Sequence, residues 1–144
     1  LLFLGRGDTD HDVVVYLPRD KVVCAGDMVV HPFPYGFSKQ PVEWLATLGK
    51  LAALDFDHLV PGHGDVQHGK AYLRSVIEML TSIQDQVKTG IAAGQDLAAV
   101  QKSVDLSRFE RQMASDDPVK QYFFRIYFAE PAVREAYAAL KPAS

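Results

Sequence analysis

Three short segments of this sequence set residues able to ligate a metal or move a proton directly beside strongly apolar runs. They are "GRGDTDHD", which holds Asp8, Asp10, His11 and Asp12; "CAGDMVV", which holds Asp27; and "LVPGHGDV", which holds His63. A side chain at a strand end is carried to the rim of a sheet with little freedom, which suits a ligand or a catalytic acid or base. The histidine segment is the most specific, because glycines on both sides of His63 allow a tight turn and leave the imidazole uncovered. A histidine in a surface Pro-Gly turn is the plain alternative. Asp27, following a glycine, is open to being a turn former or helix cap, and the Asp8–Asp12 group to being a solvated turn. Asp8 and Asp27 are 19 residues apart, and Asp27 and His63 are 36 apart. The segments therefore make a site only if the fold brings the strand ends together.

The elements that must do so follow from hydrophobic period. "LLFL" and "VVVYLP" predict two strands, the second stopped by Pro18, and "KVVCAGDMVV" a third after the charged turn Arg19-Asp20. From Pro41 the period changes: Trp44, Leu45, Leu48, Leu51 and Ala52 recur at helical spacing, with proline suited to the first turn. "FDHLV" predicts a short buried strand ended by Pro61-Gly62, and a long helix follows from about Lys70 to Lys88, closed by Gly90. Beyond Gly94 the chain is predicted helical, with a short helix marked by Leu97, Val100 and Val104 and a last one opened by Pro131. The aromatic run Tyr122 to Phe128 is expected to be a helix packed on the sheet, and Cys24 to lie in the core. His58 and His68 are expected to face solvent. Strands, then strand–helix alternation, then a helical tail give an α/β or α+β class in a single domain over 1–144.

Composition narrows the function classes. The chain has 144 residues, 48% hydrophobic and 23% charged, as in an ordinary globular domain with a modest core. A net charge of −3 gives no electrostatic reason to expect nucleic acid or an anionic membrane as partner. One cysteine excludes an internal disulfide and a cysteine-based zinc cluster. No apolar run approaches the roughly 20 residues that span a bilayer. A soluble protein is expected, with cytoplasm and periplasm both open. Opening on Leu1 inside an apolar run sets the expectation of a processed or truncated start.

Taken in order, the segments carry a family likeness. G-x-G-x-T-x-x-D before an apolar strand and proline, then Gly26-Asp27 after a further strand, then Pro61-Gly62-His63-Gly64 after a helix and a strand, resembles the metallo-β-lactamase fold superfamily. The likeness covers nearly the whole chain but only the second half of that fold, and implies half of an αββα sandwich with a small sheet covered by helices. It implies that Asp8 and His63 each hold one metal and that Asp27 bridges the two and orients the attacking water. In the family a histidine stands at the place of Asp8 and a glycine at the place of His11. The family's His-x-His-x-Asp-His motif, which belongs to the first half of the fold, is absent here.

A carboxylate binds zinc at nearly the distance of an imidazole, so Asp8 remains a competent ligand. The resemblance implies a divalent metal, zinc first; the hard oxygen of Asp8 moves the site toward manganese, iron or magnesium, and a site without metal is the alternative. His11 is a possible further ligand, and His31, in "VVHPFPYG", a possible substrate contact near the mouth of the site, with Tyr35 and Phe37 as possible pocket walls. The resemblance implies a metal-dependent hydrolase acting on an ester, lactam, thioester or phosphoester of a small molecule, or the C-terminal half of one. The alternative is a non-catalytic truncated domain acting in association. In either case a half-fold leaves a sheet face bare, so a homodimer or pairing with an N-terminal half is expected.

Overall fold

The computed structural model describes residues 1–142. Strand β1 (Val15–Leu17) turns through Arg19-Asp20-Lys21 into β2 (Val22–Gly26), with which it pairs antiparallel, Val15 opposite Cys24 and Leu17 opposite Val22. Helix α1 (Pro41–Ala53) then carries the chain across to β3 (His58–Pro61), which lies parallel to β2 with Cys24 opposite Val60. A two-residue strand β4 (Gln67–His68) closes the sheet antiparallel to β3, giving the order β1-β2-β3-β4. Helices α2 (Ala71–Ala92), α3 (Leu97–Ser103), α4 (Ser107–Ala114), α5 (Pro118–Phe123) and α6 (Glu130–Leu140) complete the described chain, with a π-helical turn over Phe124–Ala129 joining α5 to α6. The class is α+β, and no helix among the described residues is long and apolar enough to cross a membrane.

The sheet has two unlike faces, as the alternation of a strand requires. Val14, Val23, Ala25 and Leu59 are buried in one core with Trp44, Leu48 and Leu51 of α1 and Leu73, Val76 and Leu80 of α2. The alternate residues point the other way and remain uncovered: Val13, Val15 and Leu17 are exposed, and Val22, Cys24 and Val60 only half-buried. Cys24 thus sits on the open face rather than in the core. Leu1 and Phe3 extend the same surface, because Leu2 bridges Val14 through two backbone hydrogen bonds of 2.9 Å.

Several expected elements are shorter or longer than their sequence pattern suggests. "LLFL" contributes only that single bridge, since Thr47 and Lys50 of α1 take the carbonyls of Arg6 (2.6 Å) and Leu4 (2.7 Å) and draw the chain off the sheet. The strand expected through Val30 ends at Gly26, whose φ of 57° turns the backbone; Met28, Val29 and Val30 are buried in the turn that follows. Trp44 fixes that turn by donating its indole N–H to the Met28 carbonyl at 3.1 Å. Helix α2 does not close at Gly90, which packs inside it so tightly that a Cβ there meets Val100 Cγ2 at 2.7 Å. Gly94, with φ of 74°, is the glycine beyond its end.

The aromatic run divides. Phe124 and Phe128, one turn apart, are buried, whereas Tyr122, Phe123 and Tyr127 are exposed on the neighbouring stripe. The widened turn leaves the Tyr127 carbonyl to accept the N–H of Gly36 at 2.8 Å, which ties the loop after β2 to the C-terminal helices. A second tie joins an exposed lysine to a buried carboxylate: Lys39 Nζ lies 2.8 Å from Glu135 Oε1 on α6.

Candidate functional site at the ends of the parallel strands

Asp27 is the first residue beyond β2, and His63 the second beyond β3. These strands are the parallel pair, and side chains at the carboxyl ends of parallel strands are where open α/β sheets place their ligands. The two meet: His63 Nε2 stands 3.3 Å from Asp27 Oδ1, with both side chains about half exposed. The backbone beneath them is held by Gly62, whose N–H reaches the carbonyls of Gly26 (2.8 Å) and Val29 (3.0 Å). A Cβ on Gly62 would run into the Asp27 carboxylate and come within 2.7 Å of the Asp27 backbone nitrogen, so glycine is required for this approach. Gly64, at φ of 84°, likewise passes against the carbonyl of His31. The His31 N–H in turn donates to the His63 carbonyl at 3.0 Å. The loops after β2 and β3 therefore interlock through main-chain contacts that depend on Gly26, Gly62 and Gly64.

The segment "GRGDTDHD" splits by role. Asp12 accepts from the Thr9 N–H (2.9 Å) and hydroxyl (2.8 Å) and so shapes its own turn. Asp10 accepts from Gln40 Nε2 at 2.9 Å and lies 3.6 Å from Arg6 Nε. Asp8 is different. Burial first, then the charges of Asp12 and Asp27, push its carboxyl above the ordinary aspartate range. The charge of Asp27 is thus felt at Asp8, while the direct contact in this region is that of Asp27 with His63. His11 is exposed on the turn and is tied to it only by its backbone N–H, 3.4 Å from Thr9 Oγ1.

His31 lines the same cavity as His63; its ring makes a T-shaped contact with Tyr72 at 5.1 Å, and its Nδ1 lies 3.8 Å from Asp65. Tyr72 is largely buried, donates its hydroxyl to the Val30 carbonyl, and is pushed by burial above the ordinary tyrosine range. His58 and His68 form a cross-strand pair with Nδ1 atoms 3.0 Å apart, at the far end of β3 from His63.

Carboxylate oxygens and an imidazole nitrogen are the donor types that suit zinc, manganese or iron. In number they fall short: among the described residues no three His, Cys, Asp or Glu side chains converge closely enough to hold a metal ion. Asp27 and His63 are in contact, and no third such side chain joins them among the described residues.

Sequence reasoning passed over Asp65 and Tyr72, which set the His31 ring, and Phe123 and Tyr127, which wall the space beside His63. A signal for the last two was present. Phe123/Tyr127 and Phe124/Phe128 are both i, i+4 pairs, offset by one position, and a single buried stripe cannot hold both.

No family model matches the chain. The chain is similar to a linear primary-alkylsulfatase of Pseudomonas sp. (strain ATCC 19151), 31% identical over 75 residues. The match takes in 47% of this chain and 14% of that enzyme, so the likeness is to a small part of the longer protein.

Proposed function

We propose that this chain supplies one part of the active site of a metal-dependent hydrolase of the metallo-β-lactamase-like kind, with Asp27, His63 and Asp8 as its share of the metal shell. The observation that carries the reading is the Asp27–His63 contact at the ends of β2 and β3. The order of the three segments and the likeness to a sulfatase, itself a hydrolase by name, support it. A divalent cation, when bound, supplies hydroxide near neutral pH and Lewis acidity toward the bond to be cleaved. The chain's own residues place and hold. Asp27, fixed by the Gly26 turn and the Gly62 backbone, presents a carboxylate oxygen able to accept a water proton and aim its lone pair. His63 faces the same point with Nε2, as ligand or proton carrier. Asp8 is held by its surroundings toward its neutral form, and a cation beside it offsets the repulsion from Asp12 and Asp27.

The substrate of this reaction is an ester-like bond, and a panel of 4-nitrophenyl carboxylate, sulfate and phosphate esters tests it, with zinc or manganese added. Turnover of at least one class, dependent on the cation, is the expected result. No turnover of any class with a folded protein opposes it.

The open sheet face bears on the missing ligands. Val13, Val15 and Leu17, with Leu1 and Phe3, form an apolar surface of the kind a second sheet covers in a sandwich. On this reading a second copy of the chain, or an N-terminal half, packs there and completes the site. A non-catalytic domain that associates through this face is the second reading, favoured by the incomplete donor set.

A further inference from the structure

Beside the Asp27–His63 pair runs a groove of about 540 Å³, walled by the loop after β2 on one side and the π-helical turn on the other. His63 belongs to its lining, so the groove opens onto the candidate site itself. We propose that this groove seats the uncharged, apolar portion of the substrate, an aryl or alkyl group attached to the bond under attack. The inference rests on the hydrolase reading above.

The walls argue for the chemistry of the occupant. Phe33, Tyr35, Phe37, Phe123 and Tyr127 line it with His31 and His63, and no lysine, arginine, aspartate or glutamate is among the lining residues. The polar side chains that could pair with a charge are the imidazoles of His31 and His63, whose backbones are hydrogen-bonded to each other, and against the remaining aromatic wall an apolar group loses least on leaving water. The rings are already arranged around the space, Tyr127 in edge contacts with Tyr35 and Phe37 and tilted against Phe123. Tyr127 meets Tyr35 at 6.5 Å, Phe37 at 6.4 Å and Phe123 at 5.6 Å between centroids. Such contacts hold the walls apart and present both faces and edges to an incoming group. Phe37, Phe123 and Tyr127 nevertheless remain 45%, 40% and 43% exposed, a cluster of large apolar side chains left to solvent at one place.

The groove is also coupled to the reacting end. The edge of Tyr35 packs on the His63 ring at 5.8 Å, the same ring whose Nε2 faces Asp27. The loop carrying Tyr35 is pinned through the Gly36 N–H to the Tyr127 carbonyl, and a Cβ on Gly36 would strike the Phe128 carbonyl. Both walls are therefore fixed in position relative to each other and to His63.

The test measures binding apart from turnover. The chain is titrated with 2-phenylethanol, 1-octanol and butane-1,4-diol while the aromatic-ring NMR signals of Tyr127 and Phe123 are followed. The two apolar alcohols are expected to shift these signals, and the diol to leave them unmoved. Tyr127→Ala and Phe123→Ala, both at exposed positions, are each expected to weaken binding about threefold to tenfold. A stronger response to phenylethanol assigns an aryl group, and a stronger response to octanol an alkyl group. Absence of shifts with both alcohols, or binding that neither substitution weakens, overturns the proposal. Binding with no hydrolysis of any ester leaves the groove standing and removes the hydrolase reading. Hydrolysis that needs Asp27, without alcohol binding here, does the reverse.

Discussion

His63 Nε2 lies 3.3 Å from Asp27 Oδ1 although 36 residues of chain separate them, and the parallel pairing of β2 with β3 brings them together. Neither side chain supports the core, since both are about half exposed. Asp27→Asn and His63→Ala are accordingly expected to change unfolding free energy by less than about 0.5 kcal/mol. The same substitutions are expected to lower ester hydrolysis by about 100-fold or more. Rates on the most reactive 4-nitrophenyl ester, beside urea unfolding of each variant, check both halves of this statement.

The close approach depends on a residue with no side chain. Gly62→Ala sets a Cβ against the Asp27 carboxylate and backbone, where rigid main chain cannot give way. A loss of about 1–3 kcal/mol in stability is expected, together with loss of whatever activity Asp27 and His63 support. Gly49→Ala is the control: it lies in α1 with open space where its Cβ would stand, and is expected to be neutral or slightly stabilising.

The bare face of the sheet is open to direct test. Val15 and Leu17 are 39% and 43% exposed on an edge strand, which favours association through that surface. The chain is expected to sediment as an associated species, and the double substitution Val15→Lys with Leu17→Lys to shift it toward monomer without unfolding it. A monomer in both cases contradicts the role given to this face.

Acid lability should trace in part to Glu135. Burial raises its carboxyl, but hydrogen bonds and charge from Lys39 and Arg134 outweigh that and leave it below the ordinary glutamate value of 4.5. The unfolded chain then binds the proton more readily, so the stabilisation is complete above that value and is lost as the pH falls through the lower folded one. Because Lys39 is itself exposed, the contribution is about 1 kcal/mol. Glu135→Gln is expected to be less stable than the parent by that amount near neutral pH, and the gap to close in acid. Urea unfolding at about pH 7 and about pH 3 measures it.

Much of the fold was legible in local pattern. Trp44, Leu48 and Leu51 recur at helical spacing and are the buried face of α1, and β2 and β3 lie where β-branched runs and Pro-Gly stops place them. What local pattern could not carry was tertiary. Nothing near Leu1 to Leu4 in sequence says that α1 will take their carbonyls, and nothing near Gly90 says that Val100 will pack against it. The three polar segments were found because glycine beside a polar residue at a strand end is a local signal. That Asp10 and Asp12 are spent on Gln40 and Thr9 depends on partners up to 30 residues away. Tyr35 and Phe37 were legible as pocket walls from their loop, whereas the facing wall of Phe123 and Tyr127 was not, because those aromatics carry the same signature as a core.

The central claim is that Asp27, His63 and Asp8 belong to a metal shell, and metal content measures it most directly. The protein is purified without chelator, in whatever assembly it forms, and zinc, manganese and iron per chain are determined by elemental analysis for the parent, Asp27→Ala and His63→Ala. About one divalent ion per chain in the parent, lost from either variant, is the expected result. Metal far below that in a folded parent, or equal metal in all three proteins, contradicts the account.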